Sequence, residues 1–145
     1  MRISRNFSEW EIRISRDYPE LSTPFDELEP AVLAHAVITV HIMMQPIRDV
    51  AGWLDVLSFI RSLELNDAIP GKPGSDHIRG LCVDFRPRAI SCEELWHMAL
   101  NGELCGAQFD KLNFYPARRS FHGAIRPLED GLQRGRLYLD WERVN

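Results

Sequence analysis

Apolar positions recur most regularly between Pro30 and about Val50. There Val32, Leu33, Ala36, Val37, Val40, Met43, Met44 and Ile47 keep helical spacing and predict one long helix with an apolar stripe. Residues 1–25 show little periodicity and lead into "STPFDELEP", where Asp26 and the acidic residues around Pro30 supply helix-start chemistry. After Gly52, "WLDVLSFIRS" alternates in part and predicts a strand ending near Arg61, and "LELNDAI" predicts a short helical turn. "PGKPGS", residues 70–75, is a loop by composition. Gly80 to Arg86 predicts a strand with Leu81, Val83 and Phe85 on one face and Cys82 and Asp84 on the other. Ser91 and Glu94 form a Ser-x-x-Glu capping box that opens a helix over "SCEELWHMALNG", closed by Gly102. Strands are predicted over 109–115, 120–126 and 136–141. This order predicts an α+β fold in which a small antiparallel sheet packs with helices, without internal repeats.

A chain of 145 residues fits one domain with a substantial core. Its predicted parts are an N-terminal segment (1–25), a core (26–126) and a C-terminal extension with a strand (127–145). The net charge of −4 gives no global attraction to nucleic acid or to an anionic membrane. Arg118, Arg119, Arg126, Arg134 and Arg136 read as a solvated face. The N-terminus, "MRISRNFSEWEIRIS", lacks the apolar stretch of a signal peptide. The longest apolar run, about 14 residues around "AVLAHAVITVHIMM", is too short and too interrupted for a membrane span. Cys82, Cys92 and Cys105 are odd in number with no C-x-x-C pair, which argues against a disulfide scaffold or a cysteine zinc knuckle and for a reducing compartment. Cys82 reads as a small buried apolar residue.

The segment with chemistry in it is "SDHIRGLCVDF", residues 75–85. His77, in a loop, can fold back over the following strand and bring its ring beside Asp84, with Gly80 permitting the tight turn. Imidazole and carboxylate together suit a borderline metal such as zinc. A third ligand must come from elsewhere, and His122 in a predicted strand of the same sheet is the candidate, since neighbouring strands lie about 5 Å apart. On spacing alone, a loop histidine and a strand-end aspartate with no metal is the plainer reading and stands ahead of the metal site. His35 and His41 are six apart on the long helix and do not face each other as an i, i+4 pair would; they read as helix-surface or packing histidines, and His97, beside Trp96 and Met98, as structural.

"SDHIRGLCVDF" resembles the Ser-x-His-x-x-Gly-x-Ala-x-Asp signature of the zinc D-alanyl-D-alanine carboxypeptidases, a family that includes VanY-type enzymes and phage L-alanyl-D-glutamate endolysins. Ser75, His77, Gly80 and Asp84 match, with Cys82 at the small-residue position. Upstream, "SFIRSLELNDAIPGKPGSDH" is similar to the family's Ser-Gly-Tyr-Arg-Ser-x-x-Leu-Asn segment through Ser58, Arg61, Ser62, Leu65 and Asn66. "NFSEWEI" and "FDKLNFY" extend the similarity over roughly residues 6 to 125. The resemblance implies the hedgehog-like carboxypeptidase fold, and a Zn2+ ion held by His77, Asp84 and His122 with one coordination position open. It also implies that Arg61 neutralises a peptide carboxylate or developing oxyanion, and that Ser75 positions the ligand loop or contacts substrate.

Active members of that family carry a glutamate a few residues before the last histidine, which takes a proton from metal-bound water and passes it to the leaving amine. Here "KLNFYPARRSF", residues 111–121, contains no carboxylate, and Tyr115 stands at the matching position. Tyrosine, with a pKa near 10, is no comparable base at neutral pH. Asp110 and Glu103 are the carboxylates that would have to reach in from outside this position.

The expected function is therefore a phage-associated, peptidase-like protein that keeps its zinc site without the general base. It would serve as a structural virion component, such as a tail protein, or as a cell-wall-binding module. The alternative is an active zinc peptidoglycan peptidase of the endolysin type. Expected partners are peptidoglycan stem peptides and other virion proteins, not nucleic acid or membrane. The expected location is the host cytoplasm on synthesis and then the virion.

Overall fold

The computed structural model describes residues 1–69 and 73–145, so part of the 70–75 loop lies outside the described residues. The predicted long helix is continuous over Pro30–Ala51 (α2). Its apolar stripe is the centre of the core, with Ala36, Val40, Met43, Met44 and Ile47 fully buried. Pro46 falls inside this helix, where it can neither donate an i→i−4 bond nor avoid crowding the carbonyl four residues back. The chain accommodates it with a wider π-helical stretch over Val40–Met44. The carbonyl that Pro46 leaves free, that of Ile42, accepts the N–H of Gln108 at 2.7 Å. At 22 residues, with mean hydropathy 1.4, α2 is longer than the apolar run read from sequence. Among the described residues it is the one helix long and apolar enough to cross a membrane on those two measures.

The other helices are α1 (Glu9–Ile12), α3 (Leu63–Ala68) and α4 (Cys92–Leu100). Helix α4 has the predicted capping box: Ser91 Oγ accepts from Glu94 N–H at 3.0 Å, and Glu94 accepts from Ser91 N–H at 2.7 Å. The strands are β1 (Leu54–Ser58), β2 (Cys82–Pro87), β3 (Lys111–Tyr115), β4 (Ser120–Ala124), β5 (Arg136–Leu139) and β6 (Glu142–Arg143). They form one sheet in the order β1-β2-β4-β3-β5-β6.

The fold is α+β as expected, but the sheet is mixed rather than antiparallel, because β5 pairs parallel to β3. Strand β4 is already flanked by β2 and β3, and the next strand joins at the outer edge of β3. The chain leaves β4 at the end of the sheet where β3 begins. It rounds that end and enters β5 alongside β3, with Gly135 and Arg136 donating to the carbonyls of Phe109 and Asp110.

The sheet has two chemically different faces, which follow from the period-two alternation of its strands. On one, Phe85, Phe121 and Phe114 stack in a row, with centroids 5.6 and 4.7 Å apart, towards the apolar core. On the other, direct register aligns Ser58, Asp84, His122, Asn113 and Tyr138 across five strands. This polar row underlies the candidate site.

Residues 1–25, nearly featureless in sequence, are docked. Phe7 and Ile12 are buried, and Ile12 and Ile14 carbonyls accept from Ile60 and Phe59. Glu11 pairs in the interior with Arg48 of α2 at 2.8 Å.

Gly80 fixes the loop before β2. Its φ is +71°, and a Cβ there would meet the Val32 carbonyl oxygen of α2 at 2.6 Å. Gly80→Ala is expected to lose more than about 1–2 kcal/mol, the left-handed cost alone, with the clash added. A urea-unfolding midpoint equal to wild type would refute this account of the turn.

Candidate metal centre

Residues 75–80 place the first ligand. Ser75 Oγ accepts the N–H of His77 at 3.3 Å, Ile78 N–H bonds to the Ser75 carbonyl, and Leu81 N–H to that of Asp76. The turn drives the His77 ring inward, where it is 3 % exposed. Its Nδ1 lies 2.6 Å from the carbonyl oxygen of Phe59. A carbonyl only accepts, so Nδ1 carries the proton and Nε2 is left with a lone pair, the arrangement that commonly readies a histidine for a metal.

That Nε2 lies 3.2 Å from Asp84 Oδ2. A lone pair and a carboxylate oxygen repel at this distance unless a cation, whether a proton or a metal, sits with them. On the other side Asp84 Oδ1 is 2.7 Å from Nδ1 of His122, the residue directly opposite in β4. Zinc–ligand bonds of about 2.0–2.1 Å in a tetrahedron put neighbouring donor atoms about 3.3 Å apart, a spacing the His77–Asp84 pair matches, whereas the His122–Asp84 contact is a hydrogen bond. Burial pushes the Asp84 carboxyl up, but the two imidazoles beside it pull harder, and its pKa is held well below the usual carboxylate range.

Cys82, taken from sequence as a plain apolar residue, belongs to this cluster. It lies two residues before Asp84 on the same face, and ligand atoms of His77, Cys82 and His122 all fall within 4.8 Å of one another. These three residues could hold a metal ion. Burial first, and the charges of Asp84 and Asp76 next, push the Cys82 thiol well up. The signal was present in the alternation of "LCVDF", which puts both side chains on one face.

His77, Asp84 and His122 line an open cleft of about 1260 Å³. Arg61, expected to meet an anionic group, donates to Asp84 Oδ2 at 3.1 Å and to Ser58 Oγ at 3.1 Å. Tyr115 lines the cleft as well, under the guanidinium of Arg118 at 4.8 Å. Burial, and then the charge of Asp84, raise its phenol above the ordinary value, so it keeps its proton. Asp110 does not line the cleft. Arg134 grips both its carboxylate oxygens, at 2.6 and 2.7 Å, on a buried stem. Glu103 is exposed in the turn after α4 and also lies outside the cleft. Among the described residues, the lining carboxylates besides Asp84 are Asp17, Asp55 and Asp76. Asp55 lies between Arg16 and Arg88, and Asp76 near Arg79 and Lys111.

One wall was not foreseen. Asp140 and Trp141 form the two-residue turn between β5 and β6, both with positive φ (48° and 67°). A bulky side chain in that conformation is strained and needs strong local support. Asn113 supplies it: its buried side chain accepts the Trp141 N–H at 2.8 Å, while the Phe114 carbonyl accepts that of Asp140. The indole then stands against His122 and Tyr115, with centroids 5.3 and 6.0 Å away.

The other histidines lie outside the cluster. His35 bonds to the Arg79 carbonyl, His41 to that of Ile3, and His97 is exposed on α4. No family model matches the chain, and no curated protein matches it.

Proposed function

We propose that this chain is a zinc-binding, peptidase-like domain that has kept the metal and carboxylate-binding half of a D-alanyl-D-alanine carboxypeptidase site. It has lost the general base, and it serves in a phage particle as a structural or cell-wall-binding component. One observation carries the reading. The donor set of His77, Asp84 and His122 is assembled beside Arg61, while the place of the base is taken by a phenol whose pKa is raised.

Zinc, when bound, supplies a Lewis acid and an organising charge. The chain's own residues do the rest. Phe59 fixes the tautomer of His77, Asp84 stays ionised, and Arg61 anchors Asp84 while facing the cleft. A peptide ending in a carboxylate, such as a peptidoglycan stem peptide, suits a cleft edged by Arg61, Lys111 and Arg118. Proton transfer is what is missing, and general acid–base assistance is typically worth about 10²- to 10⁴-fold.

The competing reading, an active peptidase, is favoured by the solvent-open cleft that His77, Asp84 and His122 line. The two separate in one experiment, with zinc-loaded wild type and Tyr115→Glu incubated with a stem peptide and followed by calorimetry and mass spectrometry. Wild type and Tyr115→Glu are both expected to bind without cleaving. Robust wild-type cleavage, abolished in His122→Ala, would establish the enzyme instead.

A further inference from the structure

We propose that Cys82 is a fourth ligand of this centre, so that the metal is held by His77, Cys82, Asp84 and His122 in a closed set with no position left for water or substrate. The proposal rests on the metal-binding reading above and specifies its coordination.

Three observations carry it. First, Cys82 and Asp84 are residues i and i+2 of β2, and side chains at that spacing leave a strand on the same side. A cation seated between His77 and His122 lies over the face that both share. Second, ligand atoms of Cys82, His77 and His122 already lie within 4.8 Å of one another. Zinc bonds of about 2.0 Å to nitrogen and 2.3 Å to sulfur require about 3.5 Å between such atoms, so closing the set needs movements of roughly 1 Å. Third, Cys82 is fully buried and is not among the residues that line the cleft.

The chemistry is consistent. On coordination the thiol proton passes to solvent, and a dication with one thiolate and one carboxylate makes a neutral unit beside the Arg61 guanidinium. Two imidazoles, a thiolate and a carboxylate favour zinc over magnesium or calcium, which take oxygen donors. A four-ligand zinc is the structural kind, with protein donors at every vertex. It has no bound water to activate, so a tyrosine where a general base would stand costs it nothing. Metal and missing base then have one explanation: the ion holds the loop at 75–80 onto β2 and β4.

The test is cobalt(II) added to the metal-free full chain, followed by absorption spectroscopy. Wild type is expected to show a thiolate-to-cobalt charge-transfer band in the near ultraviolet together with the strong visible bands of tetrahedral cobalt. Cys82→Ala should keep visible bands, lose the charge-transfer band, and bind zinc more weakly by more than the 10- to 100-fold that a lost supporting partner typically costs. Cobalt bound to wild type without the charge-transfer band, or a band that survives in Cys82→Ala, would overturn the proposal and leave metal binding standing. No cobalt bound at all would overturn both.

Discussion

His77→Ala is expected to empty the metal centre, and with it to abolish the response of the protein's stability to zinc. The residue links the Phe59 carbonyl to the carboxylate hub at Asp84, and no other described histidine reaches that place. A ligand that binds only the folded state stabilises it by about 4 kcal/mol at a thousandfold excess over its dissociation constant. For a chain of this length each kcal/mol moves the melting temperature by roughly 2–4 °C. Wild type with zinc should therefore melt on the order of 10 °C above wild type with chelator. His77→Ala should melt at one temperature in both, and elemental analysis should find about one zinc per wild-type chain and almost none in the variant. Asp84→Ala should behave likewise. A wild type indifferent to zinc and chelator alike would remove the metal from this site.

Arg48→Met should be the most damaging change far from the cleft, costing about 3–5 kcal/mol in urea unfolding. The Arg48 guanidinium is buried, pairs with Glu11 at 2.8 Å and donates to the carbonyls of Leu54 and Asn6. It also lies over the rings of Phe7 and Trp53, at 3.5 and 4.3 Å. Removing it strands the Glu11 carboxylate in the interior and leaves two backbone acceptors without their donor. Glu11→Leu combined with Arg48→Met should recover the part due to the stranded charge, but not the part due to the carbonyls. A single variant within 1 kcal/mol of wild type would show that water reaches Glu11 and that the N-terminal segment is not held by this pair.

What could be read in the sequence was whatever rested on local period and local chemistry. Helix α2 announces itself by spacing even through Pro46, because the π-helical stretch and Gln108 satisfy the proline's neighbours without breaking the stripe. The capping box at Ser91 and the face shared by Cys82 and Asp84 are likewise local. His122 was found because strand neighbours lie close, and its register opposite Asp84 puts the two in contact. The parallel placement of β5 was not legible. It depends on which sheet edge remains free once β4 is flanked, a property of the assembled sheet. Nor could residues 1–25 be seen to dock, since their anchors, Phe7, Glu11 and Ile12, have no period to betray them. Trp141 is the clearest case. Its backbone is held left-handed by a side chain 28 residues earlier, and no rule of turn composition would place tryptophan there.

That turn also makes the hairpin β5–β6 a handle on the site. Asn145 pins the hairpin by accepting from Leu137 N–H and donating to the Gly135 carbonyl, and Trp141 at its tip stands over His122. A protease cut at 140–145, or a purification tag fused after Asn145, would act on the cleft from the far end of the chain. The half-time for metal exchange would register it before any change in overall fold.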